Sequence, residues 1–218
     1  MKLMISLLGI LLLAGCQPKE KRLDTDFEGK IIYKMFDLET HGLDSAKAAL
    51  FRKNAKMDSM ISYFDEGSFF SLMEGNPTEY QYFNPHTNQL YFKARNNDSL
   101  QVTNAEKELP GQAPLLDVSH ELNTDTILGY ACNKLTLKLK DETRIYLYSP
   151  QFATNPEWYQ HTKAFNHDVV YKQMKAYFLS MRCEYLTFSF TLRATGIFPG
   201  KVPAGTFPKV ENLPQIRF

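Results

Sequence analysis

Apolar and polar positions alternate along most of this chain, and the alternation predicts strands. Phe27, Gly29, Ile31, Tyr33 and Met35 interleave with Glu28, Lys30, Ile32, Lys34 and Phe36. Period two with aromatic and β-branched residues marks a strand with one buried face. The same pattern returns in Ile61–Phe64, Ser68–Met73, Thr78–Phe83, Gln89–Ala94 and Ser99–Thr103. Between these runs lie Asp65-Glu66-Gly67, Asn84-Pro85-His86-Thr87-Asn88 and Asn96-Asn97-Asp98, all rich in turn formers. Connections this short make antiparallel hairpins, because a parallel crossover needs a dozen or more residues. A second hairpin series begins at Thr126–Tyr130. Cys132 to Lys140 alternate, Asp141-Glu142-Thr143 turns the chain, and Arg144–Ser149 returns with Ile145 and Leu147 on one face and Tyr146 and Tyr148 on the other. Leu186–Thr195 alternates strongly as well.

Four regions break the pattern. In 40–62, Leu43, Ala46, Leu50, Met57, Met60 and Ile61 approximate helical spacing behind Thr40 or Asp44 as caps, which predicts one or two short helices. Residues 104–117 hold Pro110-Gly111 and Pro114 and read as a loop or a short helical excursion. Residues 150–168 read as a short helix on a loop, and 169–183 as either a continued helix or a strand, with Tyr177–Cys183 favouring a strand at its end. Pro199, Pro203, Pro208 and Pro214 forbid a regular helix in the tail, which is expected to run extended as a strap along the sheet. There is no internal repeat and no domain linker. The expected fold is mainly β with minor α, in a single β-rich domain over 27–218.

The chain has 218 residues, with Lys+Arg 25 against Asp+Glu 24. That balance leaves no broad basic footprint for nucleic acid. Aromatic content is unusual, at 16 Phe and 12 Tyr but one Trp. Such side chains fill either a solid core or the walls of an apolar cavity.

The N-terminus reads as an export signal: Met1-Lys2, an apolar run from Leu3 to Leu13, then Ala14-Gly15-Cys16. The run is too short for a typical membrane-spanning helix. Leu13-Ala14-Gly15-Cys16 resembles the lipobox of bacterial lipoproteins, which implies a signal peptide over 1–15, acylation of Cys16, and a flexible tether over 16–26. Gln17 stands where some bacteria place an inner-membrane retention Asp, so the resemblance implies an outer-membrane anchor, facing the periplasm or the cell surface. With Cys16 committed to lipid, Cys132 and Cys183 remain. In an oxidising compartment they form either a disulfide or two buried thiols.

Candidate chemistry is sparse. No Gly-x-Ser-x-Gly, His-Glu-x-x-His or glycine-rich phosphate loop occurs. His161, His167 and Asp168 are close in sequence, but their spacing fits no standard metal site, and they read as surface residues on a loop. Asp65-Glu66 and Asp141-Glu142 sit at predicted turns, where solvated carboxylates are ordinary. Cys132, on a strand without neighbouring cations, lacks the surroundings of a reactive thiol. These observations argue against an enzyme, and no metal or cofactor is implied.

The segment Ile127-Leu128-Gly129-Tyr130-Ala131-Cys132-Asn133-Lys134-Leu135, followed by Arg144–Tyr148, and the Phe27-x-Gly29-x-Ile31-x-Tyr33 strand resemble motifs of exported proteins in the LolA/LolB-like class, in particular the GLPGLI-type lipoproteins. The Gly-Leu-Pro-Gly-Leu-Ile segment itself is absent; Leu213-Pro214 is its nearest trace. The resemblance implies a strongly curved antiparallel sheet, or half-open barrel, with short helices covering its open side around an apolar cavity. The expected function is then a non-catalytic, membrane-anchored lipoprotein that binds a lipid or another hydrophobic ligand. Tyr33, Phe69, Tyr82, Tyr91, Tyr146, Phe188 and Phe190 are the candidate lining residues. The alternative is an envelope structural or protein-interaction lipoprotein in which those side chains simply fill the core.

Overall fold

Two meanders grow outward from a central antiparallel pair. The computed structural model describes residues 26–217. The expected signal, Cys16 and the tether up to residue 25 lie outside the described residues. The strands are β1 (Gly29–Thr40), β2 (Ser59–Asp65), β3 (Ser68–Glu74), β4 (Thr78–Asn84), β5 (Gln89–Ala94), β6 (Leu100–Asn104), β7 (Leu115–Ile127), β8 (Tyr130–Leu139), β9 (Glu142–Ala153), β10 (Ala176–Tyr185), β11 (Phe188–Pro199) and β12 (Gln215–Arg217). They form one open sheet in the order β12-β6-β5-β4-β3-β2-β1-β11-β10-β9-β8-β7. The fold is therefore mainly β, with two short helices among the described residues, α1 (Ser45–Ala55) and α2 (His167–Met174). β1 and β11 join the two arms, from Gly29 opposite Pro199 to Thr40 opposite Phe188. Every neighbouring pair is antiparallel except β12, which lies parallel to β6.

Hairpin connections behave as their turn residues require. The β2–β3 turn puts Glu66 at φ 42° and Gly67 at φ 73°, the double left-handed geometry of a tight hairpin. Gly67 is required twice over, since a Cβ there would lie 2.3 Å from the Trp158 ring.

Several elements depart from the sequence expectation. α1 starts where predicted, with Asp44 accepting from the Lys47 N–H at 2.9 Å. It ends at Ala55, and Met60 and Ile61 belong to β2, because pairing with β1 and β3 supplies backbone partners on both sides. Ala48 is its only buried residue, so helical spacing there carries little packing. β7 starts at Leu115, well before the expected strand; being an outer strand and mostly exposed, it shows no apolar alternation. β9 runs through Pro150 to Ala153. The β9–β10 register shifts beside that segment, and a bulge tolerates a proline.

The connection from β9 to β10 fills the inner side of the sheet. It comprises two 3₁₀ turns, Pro156–Tyr159 and Ala164–Asn166, followed by α2. Tyr159 is fully buried at the centre of this plug. Its ring stacks on Tyr171 with centroids 3.8 Å apart and on Phe83 at 5.5 Å. Its hydroxyl donates to the Gly67 carbonyl at 2.8 Å, as a buried tyrosine requires. Tyr159→Phe keeps the ring but removes that donor. It is expected to cost about 1–2 kcal/mol in urea unfolding, with the slope of the transition unchanged.

The outer side is covered differently. Phe70, Tyr80, Tyr82, Tyr91, Leu100 and Val102 form a second cluster beneath Phe207, Val210 and Leu213 of the tail. The tail has no regular α-helix, but it does not stay extended as expected: turns and a 3₁₀ turn at Val210–Asn212 fold it over this cluster, and β12 ends it.

Cys132 and Cys183 are both buried and free, which corrects the disulfide alternative. β9 runs between their strands. Arg144 pairs with both Cys183 and Leu137, so Cys183 is level with Leu137 rather than with Cys132. With ordinary strand spacing and rise, that offset leaves the two Cα atoms roughly 20 Å apart. A disulfide needs them within about 7 Å.

Candidate functional site

Both arms of the sheet bend around the plug but do not meet it everywhere. Between them lies a partly enclosed cavity of about 240 Å³. One wall comes from β2 and β3 through Met60, Phe64, Phe69 and Met73. These four are cross-strand partners, Met60 opposite Met73 and Phe64 opposite Phe69, so one sheet face supplies them all. The opposite wall comes from β9–β11, through Tyr146, Met181, Phe190 and Leu192. Phe165, Val170 and Tyr171 of the plug form the third side. The volume falls between the ~150 Å³ that admits benzene and the ~300 Å³ at the lower end of drug-sized pockets.

A few polar groups interrupt these walls. Ser62 and Ser71 face each other across β2 and β3 and hydrogen-bond at 2.7 Å. Gln81 lines the same side. Arg144 reaches in from β9. Its guanidinium donates through Nε and Nη2 to both carboxylate oxygens of Glu142, the second at 2.8 Å, and through Nη1 to the Phe165 carbonyl at 3.0 Å. Both members of this ion pair are buried, with side chains 9% and 5% exposed. The bond to Phe165 ties the pair to the plug.

His167 begins α2 and lines the cavity. Rings from Phe69, Tyr159, Phe165 and Tyr171 pack around it, and it is half-buried, with part of its surface open to the cavity. Burial, and then the charge of Arg144, lowers its pKa to about 3, so the ring is neutral. Burial pushes the Cys183 thiol up to about 12, which leaves it protonated. Burial likewise raises the phenols of Tyr146 and Tyr171.

Of the seven expected lining residues, Phe69, Tyr146 and Phe190 line the cavity. Tyr33 is fully buried beneath it, its hydroxyl donating to the Phe178 carbonyl at 2.8 Å. Tyr82 and Tyr91 lie on the outer face, stacked on each other at 5.6 Å. Phe188 stands beside α1, between Tyr185 and Phe51 at 4.3 Å and 4.5 Å. The structure also corrects the reading of His161 and His167 as two surface residues. His161 is exposed, whereas His167 is half-buried in the plug. Glu142, expected as a solvated turn carboxylate, is buried. Arg144, His167, Gln81 and the serine pair went unrecognised. The available signal was charge at the alternate positions Glu142 and Arg144, in phase with Tyr146 and Tyr148.

No family model matches the chain, and no curated protein matches it. Among solved structures it is similar to PNGF-II in a C2 crystal form, at 15% identity and a TM-score of 0.49, over 88% of this chain and 31% of that one. A P21 form of PNGF-II gives 13% identity and a TM-score of 0.49 over the same shares. The chain thus spans about a third of the length of the PNGF-II chain. Among the described residues, no helix is long and apolar enough to cross a membrane.

Proposed function

We propose that this protein is a non-catalytic, membrane-anchored lipoprotein of the cell envelope that holds an apolar ligand between its sheet and α2. The observation that carries this reading is the cavity of about 240 Å³, with walls built of Met, Phe, Leu and Val side chains. A close-packed core leaves few voids larger than a water molecule, and an apolar void accepts apolar guests. The lipobox-like Leu13-Ala14-Gly15-Cys16 supports the anchor.

Met181 is only partly buried and lines the cavity, so a larger side chain can enter the void without displacing a strand. In the full chain, Met181→Trp is expected to abolish saturable binding of an uncharged naphthylamine fluorophore while leaving the unfolding free energy within about 1 kcal/mol of wild type. Absence of saturable binding by the wild type overturns the ligand-binding reading. The anchor has its own test. Cys16→Ser is expected to eliminate incorporation of labelled fatty acid and to leave the precursor unprocessed; equal labelling of variant and wild type overturns lipidation.

One observation favours the alternative of an interaction protein. β7 is a long outer strand whose Leu116 and Leu122 are 67% and 66% exposed. An unpaired edge of this kind is suited to adding a partner's strand. Failure of the fluorophore assay with wild-type protein would favour that reading.

A further inference from the structure

The cavity's polar groups define what kind of apolar ligand it accepts, given the binding reading above. Arg144 is the only cationic side chain among its lining residues, and its charge is already matched by Glu142 through two parallel hydrogen bonds. A third N–H is spent on the Phe165 carbonyl. A guanidinium carries five N–H donors; of the two left over, one is within reach of the Tyr146 hydroxyl, so the other remains for a ligand. The other polar lining groups are hydroxyls, the Gln81 amide, the Cys183 thiol and the His167 ring. Among the described residues, the His167 ring makes aromatic contacts and no hydrogen bond.

An ionised carboxylate entering this space would give up its water and share one guanidinium with Glu142. Two anions competing for one cation in a partly enclosed site repel each other, and burying an unmatched charge is costly. An ester, amide or alcohol oxygen faces neither penalty. It can accept from the spare Arg144 N–H group, and an alcohol can also donate to an acceptor such as Gln81.

We propose that the cavity is a site for an uncharged amphiphile, a long-chain alcohol, ester or amide, and that the Glu142–Arg144 pair discriminates against fatty-acid anions. The role of Glu142 here is charge matching: it withholds the guanidinium from anionic heads while leaving a donor for neutral ones.

The test uses the full chain reconstituted in phosphatidylcholine vesicles. Diazirine-bearing probes of equal chain length, one a fatty alcohol and one a fatty acid, are photolysed at about pH 9, several units above an ordinary carboxylic acid pKa. Labelled peptides are mapped by mass spectrometry, and yields are normalised to labelling of the bilayer lipid. The alcohol is expected to label the peptides carrying Met60, Tyr146 and Phe190 at least tenfold more than the acid. Equal labelling, or preference for the acid, overturns the selectivity while leaving ligand binding intact. Absence of cavity label from either probe overturns the binding reading and this inference with it. Glu142→Gln frees the guanidinium charge, so in folded variant protein the acid is expected to gain label relative to the alcohol. An unchanged ratio in that variant overturns the role given to Glu142, and the wild-type comparison stands whether or not the variant folds.

Discussion

Glu142→Ala is expected to cost about 3–5 kcal/mol of stability, the cost of stripping a buried ion of its partner. Arg144 cannot shed its charge, because a guanidinium stays protonated throughout the accessible pH range. With Glu142 gone, it is left with neutral partners such as the Phe165 carbonyl. Arg144→Met is expected to be costly as well, since it leaves the Glu142 carboxylate buried without a cation. The double variant Glu142→Leu/Arg144→Met behaves differently. It removes both desolvation penalties, and apolar replacement of a buried pair is commonly neutral or stabilising. The expected result is therefore strong non-additivity in urea unfolding: two destabilised single variants and a double variant near wild type. Additive losses would mean that the two side chains act independently, contrary to their bidentate geometry.

How much of this was legible in sequence depended on how many faces of each strand are buried. β2 to β6 were predicted closely, because turn residues such as Asp65-Glu66-Gly67 and Asn84–Asn88 delimit them whatever their faces do. Sidedness was not legible. Phe69 and Phe70 are both buried, as are Tyr82 and Phe83, and Leu90 and Tyr91. In each pair one side chain meets the plug side and the other meets the proline-rich tail, so alternation carries no label for the inner face. Tyr82 and Tyr91, expected to line the cavity, face the tail instead. β7 failed in the opposite way: an outer strand with little buried on either face has no apolar alternation to detect. The polar part of the site was hidden because its members come from distant segments. Glu142 and Arg144 meet Phe165 and His167 only after β9 and the plug have folded against each other.

His167 is expected to make the protein sensitive to acid well above the pH at which it titrates in the fold. The packed site accepts the neutral ring, and protonation there waits until about pH 3 because burial, and then Arg144, disfavours the cation. In the unfolded chain a histidine takes up its proton near pH 6.5. Between those two values the unfolded state binds the extra proton, so stability falls as pH falls, at up to about 1.4 kcal/mol per unit. Above the unfolded pKa both states carry a neutral ring, and the dependence vanishes. From neutral pH down to about 4.5 the loss attributable to this one side chain is roughly 2–3 kcal/mol. Other groups titrate over the same range, so the measurement is a difference. His167→Phe keeps an aromatic ring among Phe69, Phe165 and Tyr171 and has no proton to take up. Urea midpoints taken at intervals over this range should converge or cross as pH falls, with the wild type losing more stability than the variant. Parallel curves would show that the His167 ring is protonated in the folded protein as readily as in the unfolded chain.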